Sequence, residues 1–145
     1  MDKRRKLDKT LMSDEEYKIL VTDLCSRLPH GVKVRVSGDW FYDELEQYDT
    51  ELKIGKPSNL LDVFINQRGN SRNLTITPYL RPMDSMTDEE RDEIIRFTRD
   101  PQRDEWTFSN IAYDYLDWLI VRNFDFRGLI GMGLALPATN EMYKQ

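Results

Sequence analysis

The feature that most constrains this chain is a change of hydrophobic period across the PHG turn at residues 29–31. Before it, Tyr17, Leu20, Val21, Leu24, Cys25 and Leu28 recur at three- and four-residue spacing, which gathers them on one face of a helix. After it, Val32, Val34 and Val36 alternate with Lys33, Arg35 and Ser37, the period of a half-buried strand. The helix has a start signal: Ser13 and Glu16 form a capping box, with Met12 and Tyr17 spaced as its hydrophobic staple. Pro29 and Gly31 stop it. The same spacing puts Cys25 on the buried stripe.

Further short runs follow. GDWFYDE continues the first strand as a bend or a second strand, and Leu52 and Ile54 lie in another alternating run. Leu61, Val63 and Ile65 read as a third strand, and Leu74 and Ile76 as a fourth that closes before Pro78. The sum predicts an α+β fold: an N-terminal helix, then a small curved antiparallel sheet or an SH3-like barrel. Two C-terminal helices complete it. One starts at the capping box Thr87–Glu90, and the other runs from Ser109 to Val121 with a stripe of Phe108, Ile111, Ala112, Tyr115, Leu116 and Leu119. Residues 1–12 read as a flexible basic arm and 13–145 as a single compact domain.

The apolar tail, FDFRGLIGMGLALP, has three glycines within six positions. A phosphate-binding loop is the sharper interpretation, but the segment follows a helix rather than a strand, and no GKS or GKT completes it. Arg127, Gly128, Gly131 and Gly133 are therefore assigned structural roles. Gly128 turns the chain after Phe124 and Phe126 dock, and Gly131 and Gly133 free the backbone for apolar contacts.

The chain offers little catalytic equipment. Its only histidine, His30, has no serine or cysteine companion, and one cysteine cannot build a thiolate metal site. No catalytic residue, metal or cofactor is assigned, and a non-enzymatic protein is expected. A net charge of −5 disfavours nucleic-acid coating through overall charge. No apolar run is long enough to span a bilayer, so no membrane partner is expected and a cytoplasmic setting is the default.

Function is then expected on exposed faces. Trp40, Phe41, Tyr42, Asp43, Glu44, Glu46, Tyr48 and Asp49 combine aromatic contact area with negative charge, a composition suited to another protein or a second copy. A solvated acidic loop or a carboxylate pair are the other interpretations of its acids. Lys3, Arg4, Arg5 and Lys6, with Lys33, Arg35 and Arg68, are the candidates for nucleic-acid contact. In the YLRP stretch at residues 79–82, Arg81 is placed to pair with acids of the next helix or to project outward.

PYLRPMDSMTDEE and WLIVRNFDFRGLIGMGLALPATNEMY resemble a group of small proteins from gut Bacteroidales genomes and their phages. The likeness implies the same layout: a helical lead, a strand-rich middle, the YLRP connector and the RGLI…GLAL tail. Phe126 stands where a tyrosine is common in that group, and Pro137 where an acid is frequent. The resemblance brings no activity with it, and it leaves a phage structural or assembly component as one expectation.

Overall fold

A computed structural model describes residues 13–39, 45–55, 60–66, 74–98 and 108–143. The basic arm (including Lys3, Arg4, Arg5 and Lys6), Met12, Trp40 to Glu44, and Arg68 lie outside the described residues. Helix α1 (Asp14–Arg27) begins at the expected capping box, with Ser13 Oγ accepting from Glu16 N at 3.1 Å and Glu16 Oε1 accepting from Ser13 N at 2.9 Å. Strands β1 (Val32–Asp39) and β2 (Leu45–Leu52) form an antiparallel pair from Val32↔Leu52 to Asp39↔Leu45. Helix α2 (Leu60–Asn66) leads to β3 (Leu74–Leu80), which is antiparallel to β1 from Val34↔Pro78 to Gly38↔Leu74. A 3₁₀ turn (Met83–Ser85) precedes helices α3 (Asp88–Thr98) and α4 (Phe108–Val121). The tail supplies β4 (Leu136–Pro137), parallel to β3 at Tyr79↔Leu136 and Leu80↔Pro137.

The described strands form one open sheet in the order β2-β1-β3-β4. The α+β class and its helices stand as expected. The sheet is mixed rather than purely antiparallel, and it is not a closed barrel. One face carries the core: Val32, Val34 and Val36 are fully buried beside Leu52, Leu74 and Ile76. Leu20 and Leu24 of α1, Phe64 of α2, and Leu129, Leu134 and Ala135 of the tail complete this cluster. A second cluster joins Trp118, Leu119 and Phe124 to Met86 and Ile94, fastening α4 and the tail to α3. Each fully buried Leu or Phe in these clusters contributes about 1.5–3 kcal/mol relative to exposure.

Three expectations from local pattern need correction. Leu61, Val63 and Ile65 lie on α2 and not on a strand. Leu60, Leu61 and Phe64 also satisfy helical spacing, and tertiary burial of Phe64 decides between the two periods. Pro78 does not end β3, which continues to Leu80. A proline is tolerated there because the β3–β4 ladder begins only at Tyr79, so its missing N–H falls before that pairing starts. Cys25 is exposed. The buried side of α1 is centred on Leu20, Leu24 and Arg27, with Asp23 beside them.

The glycine-rich tail does work as a turn. Gly128 and Gly133 have φ of 77° and 78°, whereas Gly131 lies outside the left-handed region. No atom lies within 4 Å of where a Cβ would sit on Gly128 or Gly133. A substitution there costs about 1–2 kcal/mol through backbone conformation, without a clash.

Candidate partner-binding edge

The site is built from the sheet outward, beginning with what holds its β3 side shut. After α4, Asn123 adopts a left-handed φ of 59°, a conformation asparagine accepts more readily than most residues. The reversal carries Phe124 back beside the YLRP stretch, where Arg81 N donates to Asn123 O at 2.7 Å and Asp125 N donates to Arg81 O at 2.9 Å. The Arg81 guanidinium lies 4.1 Å from the Phe124 ring centroid and grips Glu90 with two bonds of 2.8 and 2.7 Å. This is the pairing with a helix acid that the sequence anticipates. Burial alone would raise the Glu90 carboxyl, but the bonds from Arg81 and Thr87 hold it below its ordinary pKa.

Beneath this connector lies a buried ionic joint. Asp23 and Arg27, one helical turn apart, are both completely buried and joined by bonds of 2.8 and 3.0 Å. Arg127 reaches the same carboxylate at 2.6 Å. Arg27 also donates to Phe124 O at 2.8 Å, and Asn123 Nδ2 donates to Gly31 O at 3.1 Å. Asp125 accepts from Leu129 N at 2.7 Å and Ile130 N at 3.0 Å, closing the turn that begins the glycine tail. Among the described residues no buried side-chain nitrogen or oxygen lacks a partner. Removing one member of such a joint strands the other charges.

The tail then closes the sheet. Ala138 N donates to Leu80 O at 2.7 Å, and Asn140 accepts from Arg81 Nε at 3.1 Å. The Tyr143 hydroxyl accepts from Lys33 N at 2.8 Å and donates to Tyr79 O at 2.6 Å. One step beyond the Val34↔Pro78 pair, this hydroxyl stands where direct bonds between β1 and β3 would otherwise form. Burial pushes its pKa well above the ordinary tyrosine value.

The β2 side is different. Among the described residues no strand pairs with its outer side. Its eight residues, LEQYDTEL, carry three acids and no base. Tyr48 pairs with the buried Val36, which puts it on the core-facing side of the sheet, yet it is 45% exposed. Asp49 lies on the opposite face, paired with Arg35, and accepts a bond of 2.9 Å from the Tyr79 hydroxyl. Burial first, and that bond second, raise the Tyr79 pKa. The Arg35–Asp49 contact is 3.6 Å with side chains 42% and 59% exposed, a screened pair worth under about 1 kcal/mol.

These placements sort the candidates. Tyr48 and Asp49 come together on one open strand with Glu46, whose position on the strand is described but not its side chain. Lys33 and Arg35 share a face as their alternation predicts, but both have partners within the chain. The Lys33 ammonium donates to Met142 O and lies 5.6 Å from the Tyr143 ring centroid, and Arg35 lies 5.6 Å from that of Tyr79. Asp23, Arg27, Asn123 and Asp125 were not singled out from sequence. The only local signal was the four-residue spacing of Asp23 and Arg27 on an otherwise apolar face.

Among the described residues no three His, Cys, Asp or Glu side chains gather as metal ligands, and no helix is long and apolar enough to cross a membrane. No family model, characterised protein or solved structure matches the chain significantly.

Proposed function

We propose that the protein is a non-enzymatic binding module that takes up an extended segment of another protein as an added strand along β2. The observation that carries this reading is the contrast between an eight-residue edge left open among the described residues and an opposite edge occupied by the chain's own tail. An open edge presents backbone donors and acceptors to an incoming strand, while alternate side chains select it. Tyr48 supplies rigid apolar contact area, and Glu46, Asp49 and Glu51 favour a basic partner. Two copies pairing through β2 would instead oppose acid to acid. Nucleic-acid contact through Lys33 and Arg35 is less favoured, because the tail and Tyr79 already engage those cations.

Peptide-display selection on the intact protein tests the proposal. Enriched sequences should place Lys or Arg at alternate positions and lose binding to Asp49→Lys and Tyr48→Ala. Selected peptides that bind both variants unchanged would refute it, as would an enrichment of acidic sequences.

A further inference from the structure

We infer, resting on the proposed use of β2 as the docking strand, that the captured segment is amphipathic with a period of two residues. Its apolar residues lie beside Tyr48 on the core side of the sheet, and its Lys or Arg residues lie beside Asp49 on the other side.

Two observations fix which backbone groups of β2 an added strand can reach. Lys33 N donates away from β2, to the Tyr143 hydroxyl that also bonds Tyr79 O. Next along the ladder, Val34 faces Pro78, which has no N–H and so cannot exchange two bonds across that pair. Successive residues of a strand direct N–H and C=O to opposite sides. Val32, Val34 and Val36 therefore bond toward β2, where they face Leu52, Thr50 and Tyr48. Gln47 and Asp49, which alternate with these, direct their N–H and C=O to the outer side, where no described strand pairs.

Side chains sort in step with the backbone. Tyr48 and Thr50 share the core side with Val36 and Val34, while Gln47, Asp49 and Glu51 share the opposite side with Ser37, Arg35 and Lys33. A residue added beside Tyr48 enters on the core side, and one added beside Asp49 enters on the other. Val36 is fully buried, yet Tyr48 on the same side is 45% exposed. The core side thus stops half-covered at β2, and a β-branched or aromatic side chain beside Tyr48 extends it.

The opposite side is ionic. Lys33 faces Glu51 and Arg35 faces Asp49, so bases and acids balance there in number. Position, not surplus, favours a base on the added strand. Neighbouring strands lie about 4.8 Å apart, so the acids of β2 are one strand away and the cations of β1 are two. Lys33 is also turned to Met142 O, and Asp49 keeps 59% of its side chain exposed beside Arg35.

NMR titration and amide hydrogen exchange of the full chain test this with three peptides matched in length to β2. One alternates valine and lysine, one serine and lysine, and one valine and glutamate. The valine–lysine peptide should slow exchange at Gln47 and Asp49 more than at Tyr48 and Thr50, and its methyl protons should show NOEs to the Tyr48 ring. It should bind about two- to fivefold more tightly than the serine–lysine peptide, the size of one aromatic–β-branched cross-strand pair. The valine–glutamate peptide should bind more weakly than both. Equal affinity for the two lysine peptides would overturn the amphipathic pattern while leaving a basic strand on β2. Tightest binding of the valine–glutamate peptide would overturn the choice of base, and protection gained chiefly at Tyr48 and Thr50 would overturn the assignment of bonding groups. Protection of Gln47 and Asp49 that rises with protein concentration alone would give the edge to a second copy and overturn the inference. If neither lysine peptide protects any β2 amide, the pattern and the docking strand fall together.

Discussion

The two sides of the sheet are built on opposite principles. Along β3 the chain returns on itself: β4 pairs for two residues, Tyr143 bridges β3 to β1, and Arg81 anchors the connector to Glu90. Along β2 it leaves eight residues without an outer strand among those described, and it lines them with acids. Stability is concentrated where polar groups are buried and fully partnered. The proposed recognition uses the side where, among the described residues, the backbone is open and the Arg35–Asp49 pair is exposed. Substitutions of similar chemistry should therefore separate into two classes, one that unfolds the protein and one that leaves it folded but unable to bind.

The largest effect is expected in the ionic joint. Asp23→Ala leaves the buried Arg27 guanidinium without its carboxylate and should cost about 3–5 kcal/mol, read as a lower denaturation midpoint. The double variant Asp23→Leu/Arg27→Met should be less damaging than Asp23→Ala alone, because it strands no fully buried charge: only Arg127, which reaches solvent, loses its carboxylate. Next comes Glu90→Gln, which weakens the grip on Arg81 and should cost about 1.5–3 kcal/mol. Glu90 has a depressed folded pKa, so its contribution is present above the unfolded value of about 4.3 and is lost as pH falls through the folded value. Acid titration of wild type against Glu90→Gln should show that loss in the wild type only.

Tyr143→Phe should follow, at about 1–3 kcal/mol, since it leaves Lys33 N and Tyr79 O without the bridging hydroxyl. The folded pKa of Tyr143 is raised, so its contribution is complete below the unfolded value of about 10 and declines as pH rises beyond it. The variant should therefore lose part of the alkaline destabilisation. The remainder persists because Tyr17 and Tyr79 are also raised. Tyr48→Ala and Asp49→Lys should be the mildest for folding, within about 0.5–1 kcal/mol of wild type, while abolishing capture of a basic segment. Equal destabilisation by Asp49→Lys and Asp23→Ala would erase the distinction between the two sides.

What could be read from sequence follows from how local its cause is. The caps at Ser13 and Thr87 and the alternation of β1 depend on neighbours within a few residues, and the structure matches them. Cys25 was misplaced because Asp23 and Arg27, polar by type, occupy the buried side of α1. Their partners Asn123, Phe124 and Arg127 lie about a hundred residues away, so no local pattern announces them. The run LLDVFIN admits both periods, and only the docking of Phe64 resolves it as a helix. A two-residue strand such as β4 carries no period at all. Of the proposed binding edge, the acids and Tyr48 were legible, but the openness of β2 is a property of sheet order and could not be.

Site-resolved hydrogen exchange on the free protein tests that openness most directly. Amides along β2 should alternate, those directed at β1 exchanging slowly and those directed outward close to the unprotected rate. Ala138 and Lys33, which donate to Leu80 O and the Tyr143 hydroxyl, should exchange slowly. Uniform protection from Leu45 to Leu52 would mean that the edge is covered, and it would contradict the account.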